Sequence, residues 1–174
     1  MSMIDALVQE LEREAETTRR VLERVPDNRL GWKPHDRSMS LGQLSLHVAT
    51  IPGNIAKIAA QPRFEAPNFV HPAATSAAEL IPAFEQSIAD ARQVLRSMDD
   101  QRLQDLWSLV DGDRVVMSMP VGAVVRTIML NHWYHHRGQL AVYLRQVGVP
   151  VPSIYGPSAD ENPFLAPSPS TVSV

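Results

Sequence analysis

Apolar residues at Ile4, Leu7, Val8, Leu11, Ala15, Thr18, Leu22 and Val25 recur three and four positions apart. That spacing puts them on one face of an α-helix and predicts a first helix over residues 2–25. The following linker, "PDNRLGWKPHDRSMS", ends in Ser40-Leu41-Gly42-Gln43, an S-x-x-Q capping box that starts a second helix near Leu41. Its stripe runs through Leu44, Val48, Ile51 and Ile55 and is interrupted at Pro52-Gly53. An internal proline removes one ladder hydrogen bond, so a kink that frees the Val48 carbonyl and opens an entrance beside His47 is expected there. After the Pro-containing loop "QPRFEAPNFVHPAA", Ser76 and Glu79 form a second capping-box pattern ahead of Leu80, Ile81, Phe84, Ile88, Ala91, Leu95 and Met98. This is helix three. The β-prone runs "WSLV" and "RVVMSM" flank Asp111-Gly112-Asp113 and predict a hairpin. Pro120 is expected in the first turn of a fourth helix that reaches about Val147, before Gly148 and Pro150 end it.

The elements add up to an all-α protein, a four-helix bundle with a small hairpin before the last helix. From Pro150 onward six of the 25 residues are proline, which predicts an extended or disordered tail. The expected division is therefore a bundle over residues 1–150 and a Pro/Ser-rich tail over 151–174. A length of 174 residues with 44% hydrophobic content suits one domain with its own core. Sixteen Lys and Arg stand against 19 Asp and Glu, so no basic field exists to hold a nucleic acid backbone. The chain has no signal-type apolar run and no stretch of ~18 apolar residues, so a cytoplasmic protein without a membrane anchor is expected. It also has no cysteine, which leaves His, Asp and Glu as the metal ligands available.

Histidine is where chemistry enters. "NHWYHHRGQLAVYL" places His132, His135 and His136 on the fourth helix. At about 100° per residue, Val121, Val125, Ile128 and Tyr143 fall within about 40° of His132, which directs His132 to the core. His136 lies about 40° to one side and His135 about 60° to the other. Adjacent residues cannot share one direction, so at most one of the two joins His132. Gln139 lies about 20° from His132, where an amide on the stripe needs a partner. On helix two, His47 falls between Leu44 and Ile51, near the buried face. An i, i+4 histidine pair with a third imidazole from a facing helix makes a three-nitrogen tripod that leaves a metal position for water or substrate.

Other residues read more simply. His35 and His71 lie in Pro-containing loops and are expected in solvent, and His135 is expected at the rim of the site. Glu10, Glu12, Glu14 and Glu16 alternate with Arg13, Arg19 and Arg20 on a solvated face, with Glu14 at its edge as a candidate carboxylate. Asp111-Gly112-Asp113 is turn chemistry, since a calcium loop's ligand series is absent. Trp32, Trp107 and Trp133 are expected to pack.

"NHWYHHRGQLAVYLRQVGVPVP" resembles the last helix of the DinB-like (YfiT-like) metalloenzyme family, marked by H-x-x-x-H followed by R-G-Q. "RLGWKPHDRSMSLGQLSLHVA" resembles their loop into helix two, with Met39 here where a tryptophan is expected, and "SIYGPSADENP" resembles a tail found in related chains. The resemblance implies a four-helix bundle, often dimeric, holding a divalent ion such as zinc or nickel on three histidines. By position these would be His47, His132 and His136, because His136 directly precedes Arg137-Gly138-Gln139. Relatives with assigned chemistry include thiol S-transferases and a mycothiol-dependent isomerase. The implied partner is thus a small molecule, among them a low-molecular-weight thiol, activated on the metal. A metal-dependent hydrolase and a non-catalytic, metal-stabilised stress-related binding protein are the alternatives. Gln139, Asn131 and Thr50 are candidates to orient the imidazoles or a bound water. A homodimer is also expected, with Trp133 and Tyr134 placed about 100° and 200° from the core direction and available to an interface.

Overall fold

A computed structural model of the protein describes residues 2–66 and 70–165, and it is mostly helical, with four long helices and a small sheet. Helix α1 spans Met3–Leu22 and begins in a capping box, where the Ser2 hydroxyl accepts the Asp5 N–H and the Asp5 carboxylate accepts the Ser2 N–H. It ends at Leu22 rather than Val25. The N–H groups of Arg24 and Val25 turn to carbonyls three residues back, tightening the chain ahead of Pro26.

Helix α2 spans Leu41–Ala60, and its capping box joins Ser40 and Gln43 as the pattern required. Pro52 and Gly53 are buried rather than opening an entrance. The Gly53 N–H donates to Ser87 Oγ at 2.8 Å, and a Cβ at Gly53 would stand 2.9 Å from the Ser87 backbone, so glycine lets α2 close on helix α3, Leu80–Arg96. Ser76 caps a short 3-10 turn, Ala77–Glu79, that leads into α3. The expected second capping box is not closed, because the Glu79 carboxylate accepts the Thr75 hydroxyl instead.

Strands β2, Leu106–Asp111, and β3, Arg114–Pro120, form the antiparallel hairpin, turning at Gly112 with φ +59°. A third strand, β1, Arg63–Glu65, pairs parallel to β2 inside the stretch that reads as a loop. Its Glu65 carboxylate accepts the Gly112 N–H at 2.7 Å and ties β1 to the hairpin turn.

Helix α4 follows directly, with Pro120 standing just before the first turn rather than in it. It consists of an α turn, Val121–Ala123, a π-helical stretch, Val124–Asn131, and a regular α part, His132–Gln146, before Gly148 reverses the chain at φ +78°. The π stretch rotates everything after it. Each i→i+5 turn holds one residue more than the 100° rule assumes, which displaces later side chains by about 100°. The inward position therefore passes to Trp133, followed by Arg137, Leu140 and Leu144, all fully buried or nearly so. His132 sits half-buried at the edge of that stripe instead of in the core. The same rotation removes the surface aromatics on which an interface was expected: Trp133 is 0% exposed, and the half-buried Tyr134 donates its hydroxyl to Glu10.

Helices α1 and α2 each pack against α3 and α4. Residues 150–165 form no regular element but are fastened to α1 and α4: Glu161 accepts from Arg20 and Arg24, Asp160 from Arg145 and from the Val151 N–H. The remainder of the expected tail lies outside the described residues. Among the described residues, no helix is long and apolar enough to cross a membrane.

Candidate metal centre

His47 comes from the second turn of α2, and His132 and His136 come from successive turns of α4 where the π stretch gives way to α geometry. One ring nitrogen from each lies within 4.8 Å of the other two. The ring centroids are 5.3 Å apart for His47 and His132, 4.7 Å for His47 and His136, and 4.5 Å for His132 and His136.

Two of the rings are oriented from behind. His132 Nδ1 lies 3.2 Å from the Ile128 carbonyl, which can only accept, so Nδ1 carries the proton and the Nε2 lone pair is free. The π geometry leaves the Ile128 carbonyl to this bond, because the backbone N–H of His132 is shared between the carbonyls of Met129 and Thr127 and does not go to Ile128. His136 Nδ1 lies 2.7 Å from Gln139 Oε1, which selects the same tautomer. Gln139 is exposed rather than on the buried stripe, yet it meets the imidazole it was expected to orient. Thr50 donates to the carbonyls of Leu46 and, at 3.4 Å, His47, so it braces the backbone under His47 and not its ring. Asn131 is exposed and touches none of the three rings by a hydrogen bond.

Burial, reinforced by the neighbouring imidazoles, pushes His47 down to about 4. Burial likewise holds His136 down at about 4 against the opposing bond to Gln139, and it lowers His132 against the opposing Ile128 bond. All three rings are thus neutral at pH 7, the form that binds metal. A set of three neutral nitrogens suits zinc, nickel or copper better than calcium or magnesium, which prefer oxygen.

The remaining sequence candidates separate clearly. His135 is exposed, with its ring 5.0 Å from His136 but outside the converging set. His35 is exposed, and its Nδ1 accepts the Arg37 N–H. Glu14 is committed elsewhere, to the buried Arg137 at 2.7 Å and to the Tyr155 hydroxyl. His71 is the residue that sequence reasoning missed. It is half-buried, its ring stands edge-on 5.1 Å from His47, and its carbonyl accepts from Gln43 Nε2 at 2.9 Å. No local pattern announces it, since the contact is made by a loop folding back over the start of α2.

Arg137, the arginine of R-G-Q, does not face the histidines. Its guanidinium donates to Thr18 Oγ1 and Tyr155 and stacks 5.2 Å and 5.0 Å from the rings of Tyr134 and Tyr155. It locks α4 to α1 and to the segment after α4.

The sequence profile of the DinB family matches residues 1–163. The uncharacterised protein YrdA of Bacillus subtilis (strain 168) is 29% identical over 159 residues, covering 91% of each chain. The crystal structure of a DinB-like protein from Bacillus cereus superposes with a TM-score of 0.68 at 27% identity, covering 87% of this chain and 97% of that one. A second DinB-like crystal structure, YjoA from Bacillus subtilis, gives 0.62 at 19% identity, with 83% and 95% covered, and supports the fold alone.

Proposed function

The chain belongs to the DinB family, and from that premise we propose that it is a metal-dependent enzyme of the thiol S-transferase type, built on a four-helix bundle. Its ligands are His47, His132 and His136, and its ion is zinc or nickel. The observation that carries the reading is the convergence of three neutral imidazole nitrogens, none of them paired with a carboxylate, within 4.8 Å of one another. These three residues would hold a divalent ion without neutralising its charge, and the chemistry it would supply when bound is Lewis acidity toward a water or thiol.

The chain's own residues provide the positioning. Ile128 and Gln139 fix the tautomers of His132 and His136, and burial keeps the rings unprotonated. The thiol must come from outside, because the chain has no cysteine. A low-molecular-weight thiol is therefore the first substrate, in a cytoplasmic setting. The proposal includes a homodimer, by the habit of the family, which light scattering at micromolar concentration tests.

The deciding experiment replaces the ion with cobalt and adds a panel of low-molecular-weight thiols. A new sulfur-to-metal charge-transfer band, together with metal-dependent conjugation of the thiol to an electrophile, is the expected result. An unchanged spectrum rejects thiol activation. Metal-dependent hydrolysis then leads if the ion still exchanges a water, and a structural ion leads if it does not.

A further inference from the structure

Beside the three histidines, α2, the sheet and the π-helical stretch border an open-sided cavity of about 410 Å³, within the ~300–1,000 Å³ range of small-molecule sites. Phe64 of β1, Trp107 and Leu109 of β2, Met117 of β3, and Ile128 and His132 of α4 form much of its wall. No charged side chain lines it. The polar groups that do reach it are already engaged inside the protein. Trp107 Nε1 donates to the Ile58 carbonyl at 3.2 Å, Thr127 Oγ1 to the Ala123 carbonyl at 2.7 Å, and His132 Nδ1 faces Ile128. Only the metal-facing side of His132 remains available.

An anion lying among these apolar walls, away from the ion that the three histidines would hold, would lose its hydration without gaining a partner there. An apolar body meets two aromatic rings and a polarisable methionine sulfur, which suit a flat or aliphatic molecule. We propose that this cavity binds the uncharged, apolar electrophile onto which the thiol is added, with the electrophile's reactive end held at His132. The proposal rests on the thiol-transfer reading above. In the addition, the thiol sulfur forms a bond to the acceptor carbon, the π pair of an activated alkene moves to the neighbouring carbon, and the thiol's proton ends there. No oxidant and no leaving group are needed.

The test uses the metal-free full chain, in which no ion can take up a carboxylate, and N-phenyl-1-naphthylamine, an uncharged probe that fluoresces in apolar surroundings. Binding is expected, with displacement by methyl 1-naphthoate but not by the 1-naphthoate anion. Filling the cavity by Leu109→Trp should weaken the probe about tenfold or more, while zinc content after separate loading stays at the wild-type level. Met117→Trp should do the same at a partly exposed position where folding is not at stake. His47→Ala separates the two readings: it should lose the ion and keep the probe, so failure of the metal reading leaves the cavity result intact. Equal probe affinity in both tryptophan variants, or displacement by the anion as effective as by the ester, overturns the proposal.

Discussion

Trp133 Nε1 donates to the Val48 carbonyl across the α2–α4 interface at 2.9 Å, and Val48 is the residue whose carbonyl Pro52 leaves without its helical N–H. The proline and the tryptophan are thus two halves of one device. The gap in the α2 ladder, at the residue after His47, is filled by a side chain from α4, at the residue after His132.

Trp133→Phe keeps most of the packing and deletes the donor, leaving a buried carbonyl unsatisfied at a cost of about 1–3 kcal/mol. In a Pro52→Ala background the restored N–H can reach Val48, and the same substitution should cost clearly less. Urea unfolding of the four proteins measures the coupling, and additive effects would contradict the pairing.

His47→Ala, His132→Ala and His136→Ala should each abolish stoichiometric divalent-metal binding, whereas His135→Ala should retain it, as read by metal content after dialysis. Gln139→Leu removes the group behind His136 and should weaken affinity about 10–100-fold, with Gln139→Glu largely restoring it. Full occupancy in His136→Ala and none in His135→Ala would reverse the assignment.

Acid should destabilise the metal-free protein over a defined window. His47 and His136 lie at about 4 in the folded chain, below the ~6.5 of an unfolded histidine, so between those values the unfolded state binds more protons. Stability is then fully present above pH ~6.5 and is lost as pH falls toward 4. The urea midpoint measured from pH 8 to pH 4 should decline through that interval, and His47→Gln should flatten part of the decline. A midpoint independent of pH there counts against neutral, buried rings.

Arg137→Leu should destabilise by about 3 kcal/mol, the scale on which removing one partner of a buried ion pair acts, because Glu14 would lose its cation. The folded variant should still bind one ion, since the guanidinium points away from the histidines. Unfolding and metal content measured on one preparation distinguish this from a role at the site, which would lower affinity before stability.

Much of the architecture was legible in local patterns. The apolar stripes of α1, α2 and α3, the capping box at Ser40, the hairpin around Gly112 and the stop at Gly148 each depend on a few neighbouring residues. So does the H-x-x-x-H spacing, because two side chains four apart on a helix meet wherever that helix is placed. Strand β1 was not legible: three residues carry no period, and a parallel pairing exists only once β2 is beside it. His71 escaped for the same reason, being brought to His47 by a loop and not by a repeat.

The sequence by itself determined which residues were available as ligands, that any reactive thiol must be supplied from outside, and where most helices begin and end. Only the tertiary structure decided which way α4 faces. A π-helical stretch costs an extra residue per turn, and no local pattern marked it between Val124 and Asn131. That rotation buries Trp133 and Arg137, brings His132 and His136 to the edge of the core opposite His47, and makes the Val48 carbonyl and the Ile128 carbonyl partners of side chains. Spacing along one helix is set by covalent geometry, but the phase between two helices is set by what they bury against each other.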